Sequence, residues 1–407
     1  MTMAESERFH ALDAVRAFAL ILGIVLHGTL SFLPGVASIG WPITDRSPSL
    51  LLEVAFYVVH VFRMSVFFVI AGFFAHLMFH SKGAARFMRN RATRILVPLV
   101  AGYVILTPLQ VAVIFWAFMK SHGGALPTRL HGDASGSIPL THLWFLYYLL
   151  IFYAITLTAR AIILRWIDSQ GVMSRMTDRV ICLLLNSYAA PFVLAAPIAA
   201  CLYITRPMWV VPTPEFGLTP QPSAIVAFGT AFVFGWLLHR QADLLSALAR
   251  RWALNAAFAI SATAAAWVIV GAPLAFDARV PSSVRLIYAM VYAIAIWTWV
   301  FAIMGFAVRY CFRPRASVRY VADSSYWMYL VHAPLVLALQ TLVMYWPGSW
   351  VVKFPFILLV AFSLLLLSYR YFVRFTFVGA VLNGRRYRPS VAPPVAPIAM
   401  PGRDDLA

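Results

Sequence analysis

Charge is scarce in this sequence. Of 407 residues only 11% are charged while 62% are hydrophobic, which leaves too little polar surface to wrap an ordinary globular core. Acidic groups are scarcest, 14 Asp and Glu against 32 Lys and Arg. The three cysteines, Cys182, Cys201 and Cys311, form no C-x-x-C pair, which excludes a disulfide framework and a thiolate zinc site. No soluble domain interrupts the apolar pattern, and no internal repeat is visible, which weighs against an inverted-repeat transporter.

What the chain does have is long apolar runs. Segments of about 20 apolar residues, enough for a hydrocarbon core about 30 Å thick, recur about ten times, near 11–33, 50–79, 92–119, 141–164, 180–204, 222–239, 252–270, 283–308, 321–345 and 350–376. The expected fold is therefore an all-α, polytopic transmembrane helical bundle over residues 1–380. The Pro-rich stretch 381–407 reads as a disordered cytoplasmic tail. The two tails and every second connection hold 23 of the 32 basic residues, so the positive-inside rule puts both termini in the cytoplasm. The net charge of +18 is then an orientation signal on one face. That face suits anionic lipid headgroups or a polyanionic cytosolic cosubstrate, and nucleic acid is not expected. Loops 120–140 and 205–221, the latter dense in proline, read as solvated connections or as a lid.

Polar groups inside the spans carry the chemistry, because an intramembrane charge costs roughly 2.5–3.5 kcal/mol even on the permissive insertion scale. The first span, 10-HALDAVRAFALILGIVLHGTLSF-32, contains Asp13, Arg16 and His27. Arg16 and His27 are three turns plus about 20° apart, so they share a face and lie about 16 Å apart along it. Asp13 is spaced for an i,i+3 pair with Arg16. Either Asp13 and Arg16 anchor the helix end, or they belong to a functional path. His27, with no carboxylate near it in its own helix, is the stronger candidate, since a neutral imidazole is the natural base inside a bilayer.

The second span adds Glu53, Tyr57 and His60 by i, i+4, i+7 spacing, with Arg63 one turn further. This stripe is open to two readings, a helix-packing network or a direct role. The Ala71-Gly72 pair reads as a close helix approach. Arg91 and Arg94 stand one turn apart at the mouth of the third span, where two guanidiniums suit phosphate groups as well as a topological anchor. His142 and Trp144 open the fourth span, and Ser325, Tyr329 and His332 share a face in the ninth. No metal site is expected.

Four segments in order, 12-LDAVRAFALILGIVLH-27, 67-FFVIAGFF-74 with 91-RATR-94, 142-HLWFL-146 and 326-YWMYLVHAPLV-336, resemble the acyltransferase-3 family of bacterial inner-membrane enzymes. The likeness is greatest to the branch associated with succinylation of periplasmic glucans. It implies a multi-pass protein of the bacterial cytoplasmic (inner) membrane that transfers an acyl group from cytosolic acyl-CoA (succinyl-CoA or acetyl-CoA) to a periplasmic glucan or other polysaccharide. It carries functional roles to Arg16 and His27 through R-x10-H and to Arg91 and Arg94 through R-x-x-R. Position 71 is Ala where the family's FFxxSGF pattern has Ser. His60 and His332 complete the candidate base set, and Asp13, Glu53, Arg63, His142 and Trp144 the supporting network. The contrasting expectations are a proton-coupled transporter using the same groups as a relay, and a non-catalytic membrane partner.

Overall fold

The computed structural model describes residues 3–36, 41–121, 138–168, 170–205, 210–274, 280–313 and 315–384; the expected tail from 385 on and most of loop 120–140 lie outside them. The described chain is a helical bundle, α1 (Met3–Thr29), α2 (Leu50–Arg91), α3 (Val97–Ser121), α4 (Trp144–Ile162), α5 (Val172–Asn186), α6 (Ala190–Thr205), α7 (Pro222–Arg240), α8 (Leu245–Val270), α9 (Ser282–Tyr310), α10 (Ala316–Val343), α11 (Trp350–Ser368) and α12 (Phe377–Asn383). Among the described residues the only strand-like feature is a bridge between Pro139 and Phe216.

Among the described residues eight helical segments are long and apolar enough to cross a membrane, nine if one bent pair counts as a span. One of them, Leu50–Ser121, has 72 residues, which at 1.5 Å per residue is about 108 Å and far exceeds one bilayer. It breaks at Gly83, whose φ of 75° and ψ of 168° are not helical, and the piece on either side of the break is long enough for a crossing of its own. The bent pair corrects the expected span 180–204. It is two helices, α5 and α6, meeting at 108°, because Ser187 between them is extended and Arg251 of α8 donates to the carbonyls of Leu185, Asn186 and Ser187. Those carbonyls would otherwise be orphaned at the helix end.

Tight packing fixes the centre of the bundle. On α2 and α7 two glycines interlock: a Cβ on Gly72 would lie 2.0 Å from the Phe232 carbonyl oxygen, and one on Gly235 1.9 Å from that of Val69. The two backbones therefore touch, as small residues permit in membrane helices. Beside this seam Phe68 sits among Trp144, Phe145, Phe152 and Phe228. Gly235→Ala is expected to push the helices apart and cost about 1–3 kcal/mol of stability, read as a lowered thermal midpoint of the solubilised protein. An unchanged midpoint would mean that this seam is not a tight constraint. α1 is enclosed by α2, α9, α10 and α11, so the polar face of the first span looks inward.

Candidate active site

Five polar side chains converge beside α1. His27 comes from α1, His60 and Arg63 from α2, His142 from the turn that opens α4, and His332 from α10. The imidazoles of His27 and His332 are edge to face with centroids 5.0 Å apart, and His142 lies 5.5 Å from His332. His27 is in electrostatic reach of His332, Arg63, His142 and His60. Arg63 packs on the α1 backbone at Gly23, where a Cβ would fall 2.6 Å from its Nη1, one turn before His27. His332 and His142 are buried, while His27, His60 and Arg63 keep part of their surface accessible although helices enclose them.

Backbone carbonyls set the roles of the rings. The Leu330 carbonyl has no intrahelical donor because the residue four positions on is Pro334, inside α10. His142 Nε2 fills that vacancy at 2.8 Å, so it carries the proton, and Nδ1 faces the Thr141 hydroxyl at 3.3 Å. Both nitrogens of His142 are thus committed. His332 Nδ1 lies 2.7 Å from the Tyr329 carbonyl oxygen and must donate to it, which leaves Nε2 as a base. Nδ1 of His27 has no hydrogen-bond partner among the described residues. His27 and His332 thus each keep a nitrogen that the neighbouring carbonyls do not occupy, and the pair can take a proton from a hydroxyl held against them.

The other sequence candidates lie elsewhere. Arg16 pairs with Asp13 at 3.4 Å and donates to the Ala322 carbonyl of α10 at 2.9 Å. It is electrostatically coupled to Arg94, and Arg94 to Arg91, so Arg16 joins the R-x-x-R pair about 16 Å from His27. Arg94 stands in a π-helical turn, Ala92–Leu96, and grips the Leu382 carbonyl through Nε and Nη2 at 3.1 and 2.7 Å. Arg91 rests over the rings of Phe87 and Tyr153. Glu53 is buried and accepts from the Leu274 amide at 2.9 Å, at the α8–α9 connection and away from the imidazoles. Trp144 packs in the aromatic core around Phe68. Among the described residues no group of three His, Cys, Asp or Glu is placed to hold a metal ion.

Tyr329 was placed on the His332 face by the sequence, whereas Gln340, Trp41 and Glu215 were not singled out. Tyr329 donates its hydroxyl to the His142 carbonyl at 2.6 Å. Gln340 donates to the carbonyls of His27 and Gly28 at 2.9 and 3.2 Å, and Trp41 donates to Gln340 at 3.2 Å. Glu215 is electrostatically coupled to Arg63. Two signals were available: Glu215 is the one carboxylate in 205–221, and Gln340 is an amide within an apolar run. Segment 210–217 is held over the site because Thr141 donates to the Glu215 carbonyl and Gly217 to that of Ile138, each at 2.9 Å. Thr141 has a φ of 48°, a left-handed conformation that a β-branched residue adopts at a cost of about 1–3 kcal/mol. That strain aims His142 at α10.

Burial pushes the Glu215 carboxyl above the ordinary carboxylate range, against the lowering by the Thr213 hydroxyl and by the Arg63 charge. Between the ordinary and the raised value the folded chain binds more protons than the unfolded one, so stability falls as pH rises through that window. Glu215→Gln is expected to flatten this slope in a series of thermal midpoints taken across mildly acidic pH. A slope unchanged in the variant would assign it to another group.

Residues 9–370 match the acyltransferase domain of the acyltransferase-3 type. Similar curated proteins are the glucans biosynthesis protein C of Escherichia coli O6:K15:H31 and of Escherichia coli O1:K1, each 29% identical over 154 residues. These matches span 37% of this chain and 38% of the relatives' length. No solved structure matches significantly.

Proposed function

The chain belongs to the acyltransferase-3 family, and from that premise we propose that it moves an acyl group, succinyl or acetyl, from cytosolic acyl-CoA to a hydroxyl of a periplasmic glucan or other extracytoplasmic polysaccharide across the bacterial inner membrane. The observation that carries this reading is α1 itself, which has a guanidinium cluster (Arg16, Arg91, Arg94) at one end and the imidazole cluster near the other. In the proposed reaction the CoA phosphates sit on the guanidiniums and the pantetheine arm runs along α1 to the imidazoles. His27 takes the proton of the acceptor hydroxyl, and the oxygen attacks the thioester carbonyl. Arg63 stabilises the oxyanion. The new C–O bond forms, the C–S bond breaks, and the CoA thiolate leaves with the proton from His27. His332 holds its Nδ1 proton on the Tyr329 carbonyl and stands edge to face with the His27 ring. Membrane lipids surround the bundle.

The test is acyl-CoA binding to the purified protein. Arg91→Ala with Arg94→Ala is expected to weaken it at least about tenfold, the loss of roughly 1.4 kcal/mol or more of charge-assisted contact. Binding that is unchanged in this double variant would move the donor site elsewhere.

A further inference from the structure

Segment 41–49 has no part in the mechanism above, yet it is among the most firmly tied non-helical pieces of the chain. Asp45 is buried and forms an ion pair with Lys353 of α11, Nζ to Oδ1 and Oδ2 at 3.0 and 2.9 Å. Its amide donates to the Ser31 carbonyl at 2.8 Å, and the Ser49 amide to that of Phe32 at 2.8 Å. The Trp350 amide donates to the Ser47 hydroxyl at 3.0 Å. Ile43 is fully buried in a small cluster with Ala117, Leu337 and Met344. A loop so anchored holds whatever it carries in a fixed place.

What it carries is Trp41, whose ring centroid is 6.2 Å from that of His27, the two planes tilted by 38°. The indole N–H is spent on Gln340, and Gln340 in turn binds the carbonyls of His27 and Gly28. This chain of bonds fixes the indole relative to the base through α1 itself. Trp41 packs on the Ile43 cluster and on the main core, yet the residue keeps accessible surface. A large π-face beside a base, with its polar edge already satisfied, has no need of a further polar partner.

We propose that Trp41 is the stacking platform of the acceptor subsite, on which a sugar ring lies by its C–H face with one hydroxyl reaching His27. Pyranose rings present patches of C–H bonds on their faces and hydroxyls on their rims. An aromatic face with a base at its edge suits both, and it fixes orientation as the few polar groups of a ligand site do. The proposal rests on the carbohydrate-acceptor reading above and adds to it the residue that holds the sugar.

The experiment uses the full chain in detergent or nanodiscs, with acetyl-CoA or succinyl-CoA as donor and a gluco-oligosaccharide as acceptor, following thiol release and acylated sugar. Trp41→Ala and Trp41→Leu are expected to raise the acceptor KM at least about tenfold, with the donor Kd within about twofold of wild type. Trp41→Phe, which keeps a π-face but loses the bond to Gln340, should retain most acceptor affinity. An unchanged acceptor KM in Trp41→Ala, or Trp41→Leu behaving as Trp41→Phe, would overturn the platform. So would a fall in kcat alone, which would make Trp41 a support for His27. If wild type transfers nothing to the oligosaccharide yet acylates a non-carbohydrate hydroxyl, the carbohydrate reading itself fails, and the platform with it.

Discussion

Replacing His27 by alanine is expected to lower acyl transfer by about 10²–10⁴-fold, the usual worth of a positioned general base, while acyl-CoA binding and the fold persist. The guanidiniums proposed to hold the donor, Arg16, Arg91 and Arg94, lie about 16 Å away along α1. The fold persists because Gln340 holds the backbone carbonyls of His27 and Gly28, which the substitution leaves in place. Among the described residues the imidazole makes ring contacts with Trp41 and His332 but no hydrogen bond from Nδ1. A side chain that contributes so little to packing polarity and faces Arg63 and three other imidazoles is placed for chemistry. Steady-state rates beside donor Kd values check this. A rate that falls only because binding falls would make His27 structural.

Lys353→Met is expected to be the most destabilising single change at the ion pairs, about 3–5 kcal/mol, because it strands the buried Asp45 carboxylate. The two side chains are 2% and 1% exposed, so water cannot compensate. For a chain of 407 residues this is roughly a 4–6 °C fall in thermal midpoint. Pairing Lys353→Met with Asp45→Asn should recover most of it, since Asn removes the charge and its carbonyl still accepts from the Ser47 amide, as Asp45 does at 2.9 Å. Single and double variants that melt together would show that the pair is not what ties segment 41–49 to α11.

Periodicity made α1 legible. Arg16 and His27 share a face as the eleven-residue spacing requires, and that face meets α10 at both heights, Arg16 at Ala322 and His27 beside His332. The same argument misled on α2, because one stripe meets different neighbours at different depths. Glu53 and Tyr57 face the α8–α9 region, at Leu274 and Tyr288, whereas His60 and Arg63 face α1. Arg16 was grouped with the base by its motif, but its surroundings are those of Arg94. His142 looked like an interfacial residue, and only the proline four positions after Leu330 explains its place. Trp41 and Glu215 sit on loops, where proximity to the site depends on tertiary anchoring that no period encodes. Hydropathy could not show that α5 and α6 bend, because the break depends on one extended residue and on Arg251 from another helix.

The central claim is transfer of an acyl group to an extracytoplasmic carbohydrate with His27 as base. Its most direct test is mass spectrometry of periplasmic glucans and surface polysaccharides from cells carrying the wild-type chain, His27→Ala, or no chain, at matched membrane levels. The expected result is an added succinyl or acetyl mass with the wild-type chain alone. Modification by His27→Ala equal to wild type would refute the base assignment, and glycans unmodified in all three would contradict the carbohydrate acceptor.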